Sequence, residues 1–259
     1  MSTEAVLCQR RGGGLWLRLN RPHALNALNA DVADGLNRGL DLAQADQIQA
    51  VVIAGEGRAF CAGADLKQVL DADTGLLGRL GSVFDRVESF GKPVIAAVHG
   101  PALAGGLELV LCCDLVVACR SAAFGDAHAN FGMFPAGGAT VRLPRRVGVA
   151  RAKQLMFTGV TLPAAALAGT DLITSLVEDD RLAGEVETLV AAIAGKSAAG
   201  IAAMKALVDE GMQVPREVAL RRERREAAAY IRSADFAEGI RAFAEKRRPR
   251  FAGSMEESR

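Results

Sequence analysis

The stretch Ile95-Ala96-Ala97-Val98-His99-Gly100-Pro101-Ala102-Leu103-Ala104-Gly105-Gly106-Leu107-Glu108-Leu109 decides how this chain is read. Its first part, with Val94, is a short apolar run closed by His99-Gly100, the pattern of a buried strand. Glycine and alanine then dominate, and they leave main-chain N–H groups open to close approach. An acidic residue, Glu108, follows among Leu103, Leu107, Leu109, Val110 and Leu111. With Gly105 opening a helix, the carboxylate and that first-turn N–H share a face. A carboxylate in such surroundings is costly unless it is paired or catalytic.

A second segment repeats the arrangement upstream. Val51-Val52-Ile53-Ala54 reads as another buried strand, and Gly55-Glu56-Gly57-Arg58-Ala59-Phe60-Cys61-Ala62-Gly63-Ala64-Asp65-Leu66-Lys67 follows it. Neither segment has the G-x-G-x-x-G spacing of a dinucleotide site or the Gly-Lys-Ser/Thr of a P-loop. Leu15–Leu19 alternates as a strand, and Leu115–Ala118 forms another apolar run. Asn29 is placed to cap a helix reaching about Gln44. Strands alternating with helices predict an α/β core with covered, largely parallel strands.

After about residue 145 the strand signal nearly stops. Leu182, Val186, Leu189, Val190 and Ile193 mark one amphipathic helix, and Ile201, Met204, Leu207 and Val208 mark another. Pro215 precedes a charged helix from Arg216 to Ile231, and a last helix is expected from Asp235 to Arg247. The reading is a core over residues 1–200 and a helical region over 201–259.

Composition bounds the function. The chain has 259 residues and a formal net charge of +1, which gives no long-range attraction to nucleic acid or an anionic membrane. The alternating charges of Arg221–Glu226 read as a salt-bridged helix face. No apolar run reaches the ~18 residues of a spanning helix. The opening Met1–Ala5 lacks a basic region followed by a long apolar core, so a cytoplasmic location is expected. The five cysteines, Cys8, Cys61, Cys112, Cys113 and Cys119, are odd in number and read as reduced core residues. Adjacent cysteines and only three histidines give no metal-site spacing.

The segment Ile95–Leu115 resembles the signature of the crotonase family, which includes enoyl-CoA hydratases and isomerases. Leu19-Asn20-Arg21-Pro22-His23-Ala24-Leu25-Asn26-Ala27-Leu28, Phe60–Lys67, Pro135–Arg142, Phe157-Thr158-Gly159 and Glu238–Arg247 are also similar to family segments, in the same order. The resemblance implies a spiral of ββα units with a C-terminal helical trimerisation region, and a homotrimer or homohexamer. It implies an acyl-CoA thioester as substrate, coenzyme A arriving as part of it, and no permanently bound cofactor. An oxyanion hole would come from the backbone N–H groups of Ala64 and Gly105, each worth roughly 3 kcal/mol toward an enolate. Ala24, Ala64, Asp65, Leu66, Lys67, Gly105 and Lys246 are the implied CoA and substrate contacts. Arg21 is a further phosphate candidate, and both it and Lys246 also read as solvated surface cations.

The resemblance breaks at several positions, one of them catalytic. Family hydratases carry two catalytic glutamates; Glu108 matches the first, and His128 stands where the second is expected. The usual Pro-Glu pair is Ala127-His128, and Pro135-Ala136-Gly137-Gly138-Ala139-Thr140 replaces P-G-x-G-G-T. A neutral imidazole can hold a water and exchange a proton near pH 7. Asp126 could orient it or face solvent. The leading reading is an enoyl-CoA hydratase with Glu108 and His128 as catalytic groups. The alternatives are a hydrolase cleaving a carbon–carbon bond of a β-diketone or ring, and a non-catalytic acyl-CoA-binding subunit.

Overall fold

Alternation along each apolar run, not just its hydrophobicity, builds the core. The computed structural model of the protein describes residues 4–70 and 75–251, so residues 1–3 of the opening segment and 252–259 of the C-terminal region lie outside the described residues. Six strands form the main sheet in the order β1 (Val6–Arg11), β2 (Gly14–Leu19), β3 (Ala50–Gly55), β4 (Val94–Val98), β6 (Leu115–Cys119) and β9 (Ser175–Val177). β1 runs antiparallel to β2, and every other pairing in this sheet is parallel. Leu15, Leu17 and Leu19 of β2 face one side with Val51 and Ile53 of β3 and Val94, Ala96 and Val98 of β4. Trp16, Val52, Ala54, Ile95, Ala97 and Val117 face the other. Both faces are apolar because both are covered, the condition that parallel strands require.

On the first face lie α1 (Ala30–Leu42), α3 (Gly75–Glu88) and α4 (Gly105–Leu111). Asn29 caps α1 as its position predicts, its Oδ1 accepting from Val32 N–H at 3.0 Å. On the second face lies α7 (Leu182–Ala194), which packs Val186 and Val190 against the sheet. α8 (Ala198–Gly211) then turns away at 105°, and α9 (Arg216–Tyr230) and α10 (Ala234–Ala244) follow. Lys205 of α8 reaches back to Asp114 Oδ2 at 2.8 Å, and the same oxygen accepts from Val94 N–H at 2.7 Å. No single helix among the described residues is long and apolar enough to cross a membrane.

The structure differs from the sequence reading at several places, among them β1 and the strands of a smaller second sheet, which that reading does not contain. β9 joins the sheet edge although only three residues, Ser175–Val177, carry it, too few for a periodic signal. The last helix ends at Ala244 and not Arg247, because Lys246 adopts a left-handed φ of 53°. Cys8 is exposed on β1, whereas the other four cysteines are buried; all five are free thiols.

A small second structure gathers the ends of the parallel strands. Strand β5 (Pro101–Leu103) pairs in parallel with β7 (Ala123–Gly125), which pairs antiparallel with β8 (Leu162–Pro163). Cys61 N–H donates to the Pro101 carbonyl at 3.1 Å, and Leu103 N–H donates to the Cys61 carbonyl at 2.9 Å. Leu28 N–H donates to Gly63 and Asp65 N–H to Leu28, both at 2.8 Å. Ala104 N–H donates to the Gly125 carbonyl at 2.9 Å. Segments distant in sequence are thus laced together by main-chain bonds.

Asn26 fastens the first of these segments. It is buried at φ 57°, a left-handed value that asparagine tolerates better than most residues. Its Nδ2 donates to the carbonyls of Glu56 and Ala59 at 2.8 Å each, and its Oδ1 accepts from Arg21 N–H at 2.9 Å. Asn26→Ala leaves these backbone groups unpaired, and we predict a loss of about 3 kcal/mol in unfolding free energy. A denaturant titration showing a loss under about 1 kcal/mol would contradict that role.

Candidate active site

The laced strand ends enclose a cavity of about 340 Å³. Its wall is mostly apolar, with Leu77, Leu80, Phe84, Met133 and Phe134 among the lining residues. Among the described residues, Glu108 and His128 are the ionisable side chains on it. Ala64, Leu66 and Gly105 also line it, whereas Ala24, Asp65, Lys67 and Lys246 do not.

Glu108 sits in the first turn of α4 and is 3% exposed. One carboxylate oxygen, Oε1, accepts from Gly137 N–H at 2.7 Å and from Ala139 N–H at 3.1 Å. Burial pushes its pKa above the ordinary carboxylate value, against the pull of these amides and of His128. A β-carbon on Gly137 would stand 2.6 Å from Glu108 Oε2, so the close approach needs glycine there.

His128 opens the short 3₁₀ turn His128–Phe131 and is buried. Its Nδ1 lies 3.1 Å from Asp126 Oδ1. Asp126 is 1% exposed, so it faces the imidazole and not solvent, and its Oδ2 has no hydrogen-bond partner. Burial alone would lower the His128 pKa, but the Asp126 hydrogen bond and the Asp126 and Glu108 charges outweigh it and the net direction is upward. Ala127 has φ 57°, a value closed to a proline ring. The Ala127-His128 pair therefore follows a backbone path that the usual Pro-Glu pair could not take.

Ala64 and Gly105 bring two main-chain nitrogens to the same wall. Leu28 is bridged to Gly63 O and Asp65 N–H, and in a parallel bridge this turns the Ala64 N–H to the opposite side. Gly105 is the first residue of α4, whose N–H has no intrahelical acceptor. A β-carbon built on Gly105 would lie 3.4 Å from the Ala64 nitrogen. Ala104, just before, holds φ 48° and ψ −120°, a glycine-like conformation occupied here by alanine.

The basic and acidic candidates of the flanking segments are used internally. Arg21 Nη2 pairs with Asp65 Oδ2 at 2.8 Å, and its Nη1 donates to the Ala27 carbonyl at 2.6 Å. Its guanidinium thus joins the two loops, and a phosphate contact would compete with Asp65. Asp65 Oδ1 also accepts from Lys67 N–H at 3.2 Å at the start of α2 (Leu66–Leu70). Lys246 is exposed beyond α10. The sequence reading missed the amide donors of Gly137 and Ala139; the glycine pair Gly137-Gly138 was their visible trace. Among the described residues no group of three or more His, Cys, Asp or Glu side chains could hold a metal ion.

Comparison with known proteins gives the family. The family model described as enoyl-CoA hydratase/isomerase matches residues 11–254. A probable enoyl-CoA hydratase of Rhizobium meliloti is 37% identical, with 97% of this chain and 99% of the relative covered. A crotonyl-CoA hydratase of Syntrophomonas wolfei is 35% identical, with 97% and 99% covered. The crystal structure of an enoyl-CoA hydratase from Mycobacterium smegmatis superposes with a TM-score of 0.90 at 35% identity, covering 95% of this chain and 98% of that one. The chain belongs to the enoyl-CoA hydratase/isomerase family and has the crotonase fold.

The Asp126–His128 pair can be tested directly. Asp126→Asn removes a facing charge, so the His128 ring should titrate lower by about one unit or more. Ring-proton NMR against pH measures it. An unchanged midpoint would show that Asp126 does not set the state of His128.

Proposed function

We propose that this chain is an enoyl-CoA hydratase in which Glu108 and an Asp126-supported His128 act as base and acid. The observation that carries the reading is the cavity itself: a buried carboxylate and a buried imidazole face one apolar space beside two main-chain N–H groups. The curated relatives named as hydratases, including the crotonyl-CoA hydratase of Syntrophomonas wolfei, support the reaction class.

The chemistry follows from where charge develops. Glu108 takes a proton from a water as its oxygen attacks Cβ of a 2-enoyl thioester. The double-bond electrons move toward the thioester oxygen, which becomes an enolate oxygen. Ala64 and Gly105 N–H donate to that oxygen, each worth roughly 3 kcal/mol in a dry site. His128, as imidazolium, gives a proton to Cα and closes the addition; the reverse sequence is dehydration. No permanently bound cofactor enters this scheme, and coenzyme A comes and goes with the acyl group.

The upward direction of the His128 pKa favours this acid role. Carbon–carbon hydrolysis would ask His128 to act as a neutral base, a role an aspartate-paired imidazole also suits, so the relatives named as hydratases weigh between the two. A binding subunit alone would have no use for the buried carboxylate of Glu108.

Glu108→Gln should lower turnover by about 10²–10⁴ while CoA-ester binding survives, since a general base is worth that much. A variant within a few-fold of wild type would move the reading to a binding protein. His128→Ala should lower turnover and remove the alkaline limb of the pH–rate profile, because the acid must be protonated to work. Loss of stability with an unchanged rate and profile would make His128 a packing residue.

Assembly belongs to the same proposal. The C-terminal helices leave Met204, Val208, Met212, Ile231 and Ile240 exposed, and Phe243 is 86% exposed. Such an apolar surface is suited to burial against other copies. Light scattering at micromolar concentration should give three or six chains per particle, and a monomer would contradict this.

A further inference from the structure

Arg142 lies outside the cavity, yet it grips the loop that holds Glu108. It belongs to α5 (Ala139–Val147), and its side chain is only 15% exposed. Its Nη1 donates to the Gly137 carbonyl at 2.6 Å. Its Nε and Nη2 donate to the two carboxylate oxygens of Glu88 at 2.9 and 2.6 Å, and Nη2 also reaches Asp85 at 3.1 Å. Glu88 and Asp85 are on α3, the helix that gives Leu77, Leu80 and Phe84 to the cavity wall.

The loop between Pro135 and α5 has little means of holding itself. Gly137 and Gly138 bear no side chain, and Gly138 sits at φ 95°. Yet Gly137 N–H and Ala139 N–H must stay within bonding distance of the same oxygen, Glu108 Oε1. The Gly137 carbonyl that Arg142 holds lies in the peptide between those two donors. A guanidinium fork fixes direction as well as charge, because its N–H groups are set rigidly in one plane.

We propose that Arg142 is the positioning residue for Glu108: it clamps the Gly137–Gly138 peptide to α3 and so fixes the two amides that aim the carboxylate. This rests on the reading of Glu108 as the base. Without the clamp, the amides that favour the charged carboxylate are no longer held on it, and Glu108 titrates higher. Among the described residues, His128 and Asp126 from the segment after β7 act on Glu108, and Arg142 from α5 and Asp85 and Glu88 from α3 act, as Glu108 does, on Cys112 at the end of α4. Any of these charges could move its titration, so the test keeps the charge and removes the fork.

Arg142→Lys, Glu88→Asp and Glu108→Gln are compared with wild type by kcat and KM across pH on a 2-enoyl-CoA. Arg142→Lys should lower kcat about tenfold near neutrality, change KM less than about threefold, and move the acid limb up by about half a unit or more, with recovery at higher pH. Glu88→Asp, which keeps every charge but draws the anchor back by one methylene, should shift the limb in the same direction by less. It decides the matter should Arg142→Lys fail to fold. A folded Arg142→Lys with an unmoved acid limb, whatever its kcat, would overturn the proposal, and so would an unmoved limb in Glu88→Asp if only that variant folds. An inactive Glu108→Gln beside an unaltered Arg142→Lys sinks the clamp alone. A Glu108→Gln within a few-fold of wild type sinks the base assignment, and the clamp falls with it.

Discussion

One buried carboxylate organises this molecule. Glu108 is almost wholly removed from water, and a charge there is unfavourable by several kcal/mol unless its oxygens find donors. The donors are main-chain amides of Gly137 and Ala139, which belong to a loop 29 and 31 residues away in sequence. The fold therefore has to deliver α4 and that loop to the same point. The parallel sheet supplies the frame, and the backbone bonds among Leu28, Cys61, Gly63, Pro101 and Gly125 bring the strand ends together. Asn26 and the Arg21–Asp65 pair lock the first of those ends in place.

The site departs from a two-glutamate arrangement in chemistry and in backbone. A second glutamate would add another negative charge beside Glu108, and each carboxylate would raise the other's pKa. His128 instead brings a group whose positive charge lowers the Glu108 pKa, while Glu108 raises that of His128. Asp126 shifts the balance further toward imidazolium. The left-handed turn at Ala127 is part of the same substitution, because it sets a path no proline could follow.

Much of this was legible in the sequence, for reasons that differ by element. The strands β2, β3, β4 and β6 announced themselves as apolar runs closed by glycine or a turn, and Asn29 marked the start of α1. Glu108 stood out because a carboxylate among leucines is costly. His128 stood out only through its position in a family pattern, and its partner Asp126 could equally have faced solvent. What stayed hidden was nonlocal: three-residue β9, the amide donors of Gly137 and Ala139, and the Arg142 fork. Main-chain groups carry no sequence signal of their own, and an arginine in an amphipathic helix looks alike whether it meets water or clamps a loop. Arg21 showed the converse, since a cation near a substrate segment turned out to be held by Asp65.

The central claim is that the Glu108–His128 cavity adds water across the double bond of an enoyl thioester. It is tested most directly by incubating the protein with short, long, branched and cyclic 2-enoyl-CoAs in ¹⁸O-water, following the conjugated thioester absorbance and the product mass. The account predicts that the absorbance falls and a product appears that is heavier by one water, with the label in its new hydroxyl. Two smaller products, or an unchanged thioester across the whole panel, would contradict it.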